Sequence, residues 1–445
     1  MAETRKETVW IQLSQALKGE LNSQSINIIA LSESSVLVGD SELRLTGASS
    51  ELLKLHLFDD SSLELRGTLR RHTSGGWELE VWEKKDKLSL QELLGQIRKS
   101  QHVDICNDYD IEASDRFTGF SRVKLIPQAI PELNESDIDT RCEFLGHRFD
   151  LPLLVTGMTG GITKGGTINR HLASAASAFN IPMGIGSQRI ALENKKYEEL
   201  FQLKDRFPKL FLIGNLGMAQ VLNNGVDLCK RAVSMVDANA LAIHLNVLQE
   251  MIQIEGDQRF SGFLKRLEQI CRKLPVPVIV KEVGSGIGPR DAQRLKDAGV
   301  QAIDVGGKGG TSWSYIEGIR SGQEDLLAIA STFRDWGIPT AYALGAIRNA
   351  GIDLPLIATG GIRDGLTAAK AVAVGANAVG IGLPLMRAAI RGEEEVHRTL
   401  SALRKGLRIA MLATGSAKLA KLRNRVSLRD PFEEDFEKWL KKTGK

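Results

Sequence analysis

The chain has 445 residues, of which 42% are hydrophobic and 25% are charged, and it contains 44 glycines. This length exceeds one average domain and suits a barrel of about 250 residues joined to an accessory unit. The formal net charge is only +4, and no dense run of lysine and arginine is interleaved with aromatic residues. These features exclude a nucleic-acid-binding protein of the usual basic type and predict a globular protein with two domains.

The cysteines and the apolar runs of the sequence indicate the compartment. The cysteines lack the spacing of metal ligands or redox pairs, which is typical of a reducing environment. No apolar run approaches the roughly 18 residues of a membrane-spanning helix, and the first residues lead into no apolar segment. We therefore expect a cytoplasmic protein without membrane segments. The four cysteines are Cys106, Cys142, Cys229 and Cys271.

The first hundred residues contain short, partly alternating apolar runs, which predict strands. A Ser-Gly-Gly turn at 74–76 precedes the last of them, and leucines at helical spacing over 88–97 predict a linking helix. We predict a small β-rich accessory domain over residues 1–97 and a second domain over 98–445. The predicted strands are 26–31, 35–38, 42–45, 63–69 and 77–82.

Beyond residue 150 the pattern changes to short apolar runs separated by helical stretches. Such runs recur at intervals of roughly 20 to 35 residues, with one longer gap before the seventh, as repeated βα units with one large loop would require. Strands of a parallel sheet are buried on both faces, which explains their continuous apolar character. The sequence thus predicts the α/β class and a (β/α)₈ TIM barrel. The eight runs are 151–156, 181–186, 210–215, 240–245, 276–281, 302–305, 356–359 and 378–382.

Glycines and polar residues follow each of these eight runs. Any one such segment would be an ordinary tight turn, but the carboxyl ends of barrel strands form one face, where active sites lie. Their common position favours a single pocket over eight separate turns. The segments are 157–161, 187–189, 215–217, 244–246, 281–284, 306–312, 360–363 and 380–383.

The last two segments predict a phosphate site. Glycines after strands seven and eight allow backbone N–H groups to approach a phosphate, aided by a helix N-terminus. Arg363 would add a charge-assisted contact. The alternative is that Gly360-Gly361 is only a compact turn. The paired loops favour the phosphate of a cofactor such as FMN.

Lys281 ends a strand of the predicted barrel, where a cation is costly unless it meets a negative partner. An anionic reduced flavin is one such partner. The alternative is a lysine whose ammonium group extends to solvent at the rim.

Three further side chains lie at or after the end of the fourth strand. His244 and Asn246 are two residues apart and are expected to share the pocket face. A structural role and a catalytic role for His244 stay equally open. Glu250 is a hard carboxylate suited to Mg²⁺, although an exposed loop carboxylate is the alternative.

Five segments together resemble a known family, the type 2 isopentenyl diphosphate isomerases, which are flavoproteins. They occur in the family's order and spacing, and the resemblance extends from about residue 98 to the C-terminus. The segments are 158–161 (MTGG), 244–250 (HLNVLQE), 281–284 (KEVG), 309–313 (GGTSW) and 360–363 (GGIR).

The resemblance implies an isomerase that converts isopentenyl diphosphate to dimethylallyl diphosphate by a 1,3-proton shift, with reduced FMN, NADPH as reductant and Mg²⁺. It also implies a homo-oligomer, either a tetramer or an octamer. By resemblance, Gln249, His244 and Asn246 act on substrate and flavin, and Glu250 binds Mg²⁺. The substrate diphosphate is expected to meet Arg98, Lys99, Ser187, Arg189 and Gln249. FMN is expected to contact Met158, Thr159, Gly160, Ser187, Asn215, Lys281, Thr311, Gly360, Gly361, Ile362, Arg363, Gly382 and Leu383.

Two features depart from the family's pattern. An Arg-Lys pair commonly stands near the family's N-terminus before two acidic residues and a histidine, whereas here residues 98–102 read RKSQH behind the added domain. The added domain shows no catalytic constellation, so docking, oligomer contacts and regulation all stay open for it.

Two other functions compete with the isomerase. One is another FMN barrel, such as a 2-hydroxy-acid oxidase or an inosinate-dehydrogenase-like enzyme. An inosinate-dehydrogenase-like enzyme needs a cysteine nucleophile, and the loop 306–312, which reads GGKGGTS, contains no cysteine. Hydroxy-acid oxidation needs a histidine base beside a carboxylate-binding arginine, whereas this pocket offers Lys281-Glu282 and Gln249-Glu250. The second competing function is that of a non-catalytic flavin-binding scaffold. It is disfavoured by the joint presence of Gln249, Glu250, Arg98 and Arg189.

Overall fold

A computed structural model of the chain describes residues 11–21, 24–32, 35–38, 50–56, 62–71 and 77–427. The chain divides into two compact units, residues 1–102 with 319–326, and residues 103–318 with 327–445. The predicted domain boundary at residue 97 falls within a helix that continues to Asp108, so that boundary stays a prediction.

The first unit contains a closed antiparallel barrel of six strands. Its strand order is β1-β2-β3-β6-β5-β4, and pairing of β1 with β4 closes it. The β-rich character predicted for this region is thereby confirmed, while the predicted strand 42–45 lies outside the described residues. The strands are β1 (Ile11–Leu21), β2 (Gln24–Leu31), β3 (Ser35–Val38), β4 (Ser50–His56), β5 (Ser62–Arg71) and β6 (Trp77–Val81).

Alternating side chains build the core of this barrel. In β5, Leu65 is fully buried while Glu64 and Arg66 on either side are exposed, as a strand with one face toward a core requires. Helix α1 (Lys84–Asp108) contributes one face to the same core, because its buried residues are spaced three and four apart. The predicted linking helix therefore also packs on the strands. Its core residues are Leu90, Leu93, Leu94 and Ile97.

The second unit is a closed barrel of eight parallel strands, β10 to β17 in chain order. All eight predicted runs form strands of this barrel, which confirms the predicted TIM-barrel fold. Two short antiparallel sheets accompany it. The strands are β7 (Lys124–Leu125), β8 (Cys142–Phe144), β9 (His147–Phe149), β10 (Leu153–Val155), β11 (Met183–Gly184), β12 (Leu212–Gly217), β13 (Ala240–Leu245), β14 (Val278–Glu282), β15 (Ala302–Asp304), β16 (Leu356–Ala358), β17 (Ala378–Ile381) and β18 (Val426–Ser427).

Helices follow most barrel strands, in agreement with the βα repeat. Among the described residues, none of the helices combines the length and the apolar character needed to cross a bilayer. The helices after α1 are α2 (Thr163–Ala178), α3 (Arg189–Glu193), α4 (Met218–Met235), α5 (Val247–Ile252), α6 (Phe263–Lys273), α7 (Pro289–Asp297), α8 (Trp313–Ser321), α9 (Glu324–Thr332), α10 (Thr340–Asn349), α11 (Gly365–Val374), α12 (Leu383–Arg391), α13 (Glu393–Ala413) and α14 (Leu419–Leu422).

The β8–β9 hairpin closes the amino-terminal end of the eight-stranded barrel. Phe144 and Phe149 from this hairpin form one apolar cluster with residues at the starts of the barrel strands, among them Ala240 and Ala302. Because this end is filled with apolar side chains, polar chemistry is confined to the opposite rim.

Helices α11 and α13 pack so closely that a side chain at Gly365 has no room. A methyl group there would lie 2.3 Å from the Leu403 carbonyl oxygen and 2.3 Å from the Leu407 amide nitrogen. We expect Gly365→Ala to lower the free energy of unfolding by about 1–3 kcal/mol, because backbone atoms would have to move apart. Urea unfolding measures the change.

Gly288→Ala is the matched control for this prediction. Its methyl group would meet only the Ile338 Cδ1 atom, at 3.3 Å, which is the end of a flexible side chain. Equal losses of stability in the two variants would contradict the account of close helix packing.

Candidate active site

The carboxyl ends of the barrel strands form a polar rim. Asn215 lies in β12 and is buried, with its Nδ2 donating to the Ile185 carbonyl at 2.9 Å. Its Oδ1 lies 2.9 Å from Nδ1 of His244 in β13. The fully buried Gln188 accepts a bond from the Asn215 backbone N–H at 2.8 Å. These contacts fix the orientation of both the asparagine and the histidine.

His244 is neutral at physiological pH. Its removal from solvent lowers its pKa to about 3, and the nearby Lys281 ammonium group lowers the pKa in the same direction. A histidine of this kind serves as a neutral hydrogen-bonding group rather than as a cation. This favours the structural role among the two that the sequence left open.

Lys281 places a buried cation at the rim. The residue is 9% exposed, and its ammonium group donates a 3.0 Å bond to the Glu282 carbonyl. His244 and Asp304 are its partners in register on the two neighbouring strands. A lysine carries three N–H donors, so this ammonium group retains donors for an anionic ligand.

Asp304 connects this region to the loop after β16. Its carboxylate accepts hydrogen bonds from the Thr359 hydroxyl and, at 3.2 Å, from the Gly306 N–H. Burial raises the pKa of Asp304, while the Lys281 charge and the Thr359 bond oppose that rise. The glycine loops after β15 and β16 are thus attached to the same buried carboxylate.

A pocket opens beside the carboxyl ends of β13, β14 and β15. Glu282 shapes one wall, because its Oε2 accepts bonds from four successive backbone N–H groups of residues 283–286. Aromatic side chains of Trp313, Phe333 and Trp336 form the apolar part. The other lining residues are Asn246, Leu248, Gln249, Val283, Gly284, Ser285, Ser312 and Ser314.

Helix α5 holds two predicted functional residues at or near this pocket. Gln249 donates through Nε2 to the buried Glu317 at 2.8 Å. Glu250 accepts bonds from Asn246 Nδ2 at 2.9 Å and from the Asp257 N–H at 2.9 Å. Fixed partners therefore orient both side chains.

Asn246 lies at the start of α5, because strand β13 ends at Leu245. Asn246 is therefore outside the strand, and the alternation of strand side chains does not determine its direction relative to His244. Asn246 lines the pocket and bonds to Glu250, whereas His244 bonds to Asn215.

The loop after β16 fits a phosphate. Gly360 and Gly361 have φ values of 113° and 70°, and a Cβ at Gly360 would lie 2.0 Å from the Gly307 carbonyl oxygen. No acceptor for the N–H groups of Gly361, Ile362 and Arg363 is found within the described part of the chain. Unpaired N–H groups on consecutive turn residues bind anions.

The helices after β16 and β17 begin differently. Asp364 caps α11 by accepting a bond from the Thr367 N–H. In contrast, α12 begins after Gly382 without a side-chain cap. Pro384 has no N–H and the Leu385 N–H donates to the Gly382 carbonyl at 3.1 Å, so in this described turn the Leu383 N–H is the group available to an anion. A Cβ on Gly382 would lie 3.2 Å from the Met158 sulfur, which brings the predicted 158–160 segment beside this helix start.

Similarity to known proteins identifies the family. Residues 217–429 match the family described as FMN-dependent dehydrogenase. The chain is 46% identical over 338 residues to an isopentenyl-diphosphate delta-isomerase of Stutzerimonas stutzeri, covering 76% of this chain and 97% of the relative. It is 41% identical over 335 residues to the protein of the same name from a Nostoc species, covering 75% and 96% of the two chains. The chain belongs to the isopentenyl-diphosphate delta-isomerase family. The family and the enzyme class predicted from the sequence are confirmed.

Solved structures share the fold at low sequence identity. A mandelate oxidase variant with 3,3,3-trifluoro-2,2-dihydroxypropanoic acid aligns with a TM-score of 0.54 and 22% identity, covering 74% of this chain and 93% of that one. Mandelate oxidase with benzoyl-formic acid aligns with a TM-score of 0.51 and 22% identity, covering 74% and 92%. The shared feature is the barrel alone.

The remaining predicted residues of this member of the isopentenyl-diphosphate delta-isomerase family differ in their surroundings. Arg189 in α3 is partly exposed and pairs with Glu193 at 2.9 Å. Thr311 forms an isolated antiparallel bridge with Glu112. Contact of a diphosphate with Arg189 stays a prediction, as do the contacts predicted for Arg98, Lys99 and Ser187.

Three polar residues of the second unit were not predicted from the sequence. Glu317 orients Gln249, Asp304 accepts from Thr359, and Glu112 binds the guanidinium of Arg363. Asp304 carries the clearest sequence signal, because it is a carboxylate inside an apolar strand. Glu112 lies 251 residues from its partner and Glu317 lies 68 residues from its own, so no local pattern reveals either pairing.

The low pKa of His244 predicts a pH-dependent stability. Between about pH 6.5 and the folded-state pKa of about 3, the unfolded chain binds a proton at His244 that the folded chain excludes. The stability that comes from keeping His244 neutral is fully present above about pH 6.5 and is lost as the pH falls toward 3. Between about pH 3 and 6.5, the free energy of unfolding of the wild type should fall as the pH falls. We expect His244→Asn to make this fall less steep, by up to about 1.4 kcal/mol per pH unit.

Urea unfolding of the apoprotein at several pH values measures this slope. The exposed His147 is the matched control, and its replacement by asparagine should keep the wild-type slope. A His244→Asn variant with the wild-type slope would show that His244 takes up a proton as readily in the folded chain as in the unfolded one.

Proposed function

We propose that the chain converts isopentenyl diphosphate into dimethylallyl diphosphate by a 1,3-allylic proton shift, using reduced FMN and Mg²⁺, with NADPH as the reductant. The observation that carries this proposal is the pair Gln249 and Glu250 on α5. Both side chains are oriented by other residues of the same unit, and Gln249 lines the pocket beside β13, β14 and β15. Membership of the isomerase family supports the same reaction.

The polar rim fits FMN in two places. The unpaired N–H groups of residues 361–363 and the Leu383 N–H at the start of α12 suit its phosphate. The buried ammonium group of Lys281 suits an anionic edge of its ring. When bound, reduced FMN supplies an electron-rich ring that stabilises positive charge developing on the substrate.

The residues of the chain orient the reactants. An alkene is a weak base, so its protonation requires a well-placed acid in a site where a developing cation is stabilised. Glu317 holds the amide of Gln249 in one orientation, and the neutral His244 is fixed by Asn215. We assign Gln249, His244 and Asn246 to the positioning of substrate and flavin.

The apolar part of the pocket suits the carbon chain of the substrate. Trp313, Phe333 and Trp336 line it beside the polar Gln249. With substrate bound, these side chains would shield one side of the reacting carbons from water, which protects a developing cation from capture by solvent.

The metal site depends on the substrate. No group of three or more potential protein ligands occurs among the residues that the structure describes. Mg²⁺ commonly binds through one or two carboxylates together with substrate phosphates and water. Glu250 is suited to that role, because its two oxygens each accept one hydrogen bond and keep further lone pairs. By resemblance, the residues assigned to the diphosphate are Arg98, Lys99, Ser187 and Arg189.

The assembly and the compartment belong to the same proposal. By family resemblance we assign a homo-oligomer, as a tetramer or an octamer, in the cytoplasm. The widely separated cysteines of the sequence agree with a reducing compartment.

An anaerobic assay tests the reaction. The purified protein, supplied with FMN, Mg²⁺ and NADPH, is expected to convert isopentenyl diphosphate to dimethylallyl diphosphate without consuming NADPH in proportion to product, because the shift involves no net redox change. Product is measured by mass spectrometry of the prenyl alcohols after phosphatase treatment. In separate samples without NADPH, mandelate and lactate serve as controls and should leave the oxidised flavin unreduced. If either acid reduced the flavin while isopentenyl diphosphate stayed unchanged, the protein would be an oxidase and the proposed isomerase function would be wrong.

Replacement of Glu250 tests the metal site. We expect Glu250→Gln to lower kcat/KM by about 100-fold or more at a fixed Mg²⁺ concentration, since an amide oxygen binds Mg²⁺ more weakly than a carboxylate. The Mg²⁺ concentration giving half-maximal activity should rise, while FMN affinity stays unchanged. Glu143→Gln is the control, because Glu143 is exposed in the hairpin at the opposite end of the barrel. If Glu250→Gln kept the wild-type dependence on Mg²⁺ concentration, Glu250 would not be a ligand of the metal.

A further inference from the structure

Residues 110–115, called the strap here, lie along the glycine-rich loop that follows β15. The Ala113 N–H donates to the Gly310 carbonyl at 2.9 Å, and the Ser312 N–H donates to the Ile111 carbonyl at 2.9 Å. Glu112 and Thr311 form the bridge between these two bonds. The strap is therefore paired with this loop through its backbone.

Two basic residues from other parts of the unit attach to the strap. The Arg334 guanidinium donates to the carbonyls of Glu112 at 2.8 Å and Asp110 at 2.7 Å. Lys308 forms an ion pair with Asp115 at 2.7 Å. These contacts fix the strap at several points along its length.

The side chain of Glu112 extends from the strap to Arg363. Glu112 is 8% exposed, and its Oε1 accepts from Arg363 Nη2 at 2.5 Å. The same guanidinium donates to the Gly309 carbonyl at 2.8 Å and to the Gly361 carbonyl at 2.6 Å. Arg363 thus joins the loop after β15 to the loop after β16, and Glu112 holds it there.

We propose that Glu112 is a positioning residue of the phosphate site, which keeps Arg363 as a brace between the two glycine loops. In this arrangement the phosphate meets the backbone N–H groups of residues 361–363 rather than the Arg363 guanidinium. Removing Arg363 from Glu112 would leave the buried carboxylate with only the exposed Arg116, 3.8 Å from its Oε2, which is costly. The bound anion therefore does not recruit the arginine. The proposal rests on the FMN site of the proposed function and names the residue that shapes it.

Comparison of FMN with riboflavin isolates the phosphate. Both flavins are titrated into apoprotein and their fluorescence quenching gives two dissociation constants. We expect Glu112→Gln to weaken FMN binding about tenfold or more and riboflavin binding less than twofold, because only the phosphate depends on the braced loops. Arg363→Ala should give the same loss, and the double variant should lose no more than either single variant.

The matched control is Arg116→Gln. Arg116 lies 3.8 Å from the other oxygen of Glu112 and its side chain is 56% exposed, so its loss should change FMN binding less than about twofold. The double variant Glu112→Gln with Arg363→Ala removes both charges of this partly buried ion pair together. If Glu112→Gln unfolds, Glu112→Asp takes its place, because it keeps the charge but shortens the side chain; we expect it to weaken FMN binding and to change riboflavin binding less than about twofold.

Three results would overturn the proposal. Loss of FMN affinity in Arg363→Ala with no loss, or a gain, in Glu112→Gln would mean that the arginine contacts the phosphate directly. Equal weakening of FMN and riboflavin would mean that Glu112 only supports the fold. Equal affinity of the wild-type protein for FMN and riboflavin would mean that the chain does not bind the flavin phosphate. None of these titrations uses isopentenyl diphosphate, so they are independent of whether the isomerase reaction occurs.

Discussion

Closure of eight parallel strands into one barrel is the constraint on which the site depends. A parallel barrel brings all strand carboxyl ends to a single rim, so residues far apart in sequence become neighbours there. Asp304 and Thr359 are separated by 55 residues, yet they share a hydrogen bond. The opposite end is filled by Phe144 and Phe149, which leaves this rim as the place for polar chemistry.

The electrostatics of the rim follow from the same closure. Adjacent strands place His244, Lys281 and Asp304 in register, in surroundings that hydrate charges poorly. The pKa of His244 is low and that of Asp304 is raised, both mainly because charged forms are poorly solvated there. Lys281, beside a neutral histidine, provides a positive charge whose natural complement is a bound anion.

The sequence predicts the parts of this arrangement that depend on local periodicity. All eight barrel runs and the helix over 88–97 can be read in this way, because each element has its own apolar pattern. Strands β1 and β4 were missed. In β1, the pairing with β2 shifts register between Gln12 and Leu17 and interrupts the alternation. Arg363 was predicted as a direct phosphate ligand, and only the tertiary structure reveals Glu112 as its partner. Such pairings depend on which loops meet at the rim.

The same reasoning explains why a shared barrel does not imply a shared reaction. Mandelate oxidase has this fold, but oxidation of a hydroxy acid needs a basic histidine and an arginine free to bind a carboxylate. Here His244 has a pKa of about 3, which makes it a weak base, and Arg363 is occupied by Glu112. The pocket instead presents the Gln249 amide, with the Glu250 carboxylate next to it in α5, and under the proposed function these two side chains orient the diphosphate and its Mg²⁺. Substrate choice in this chain therefore depends on loop residues added to a common scaffold.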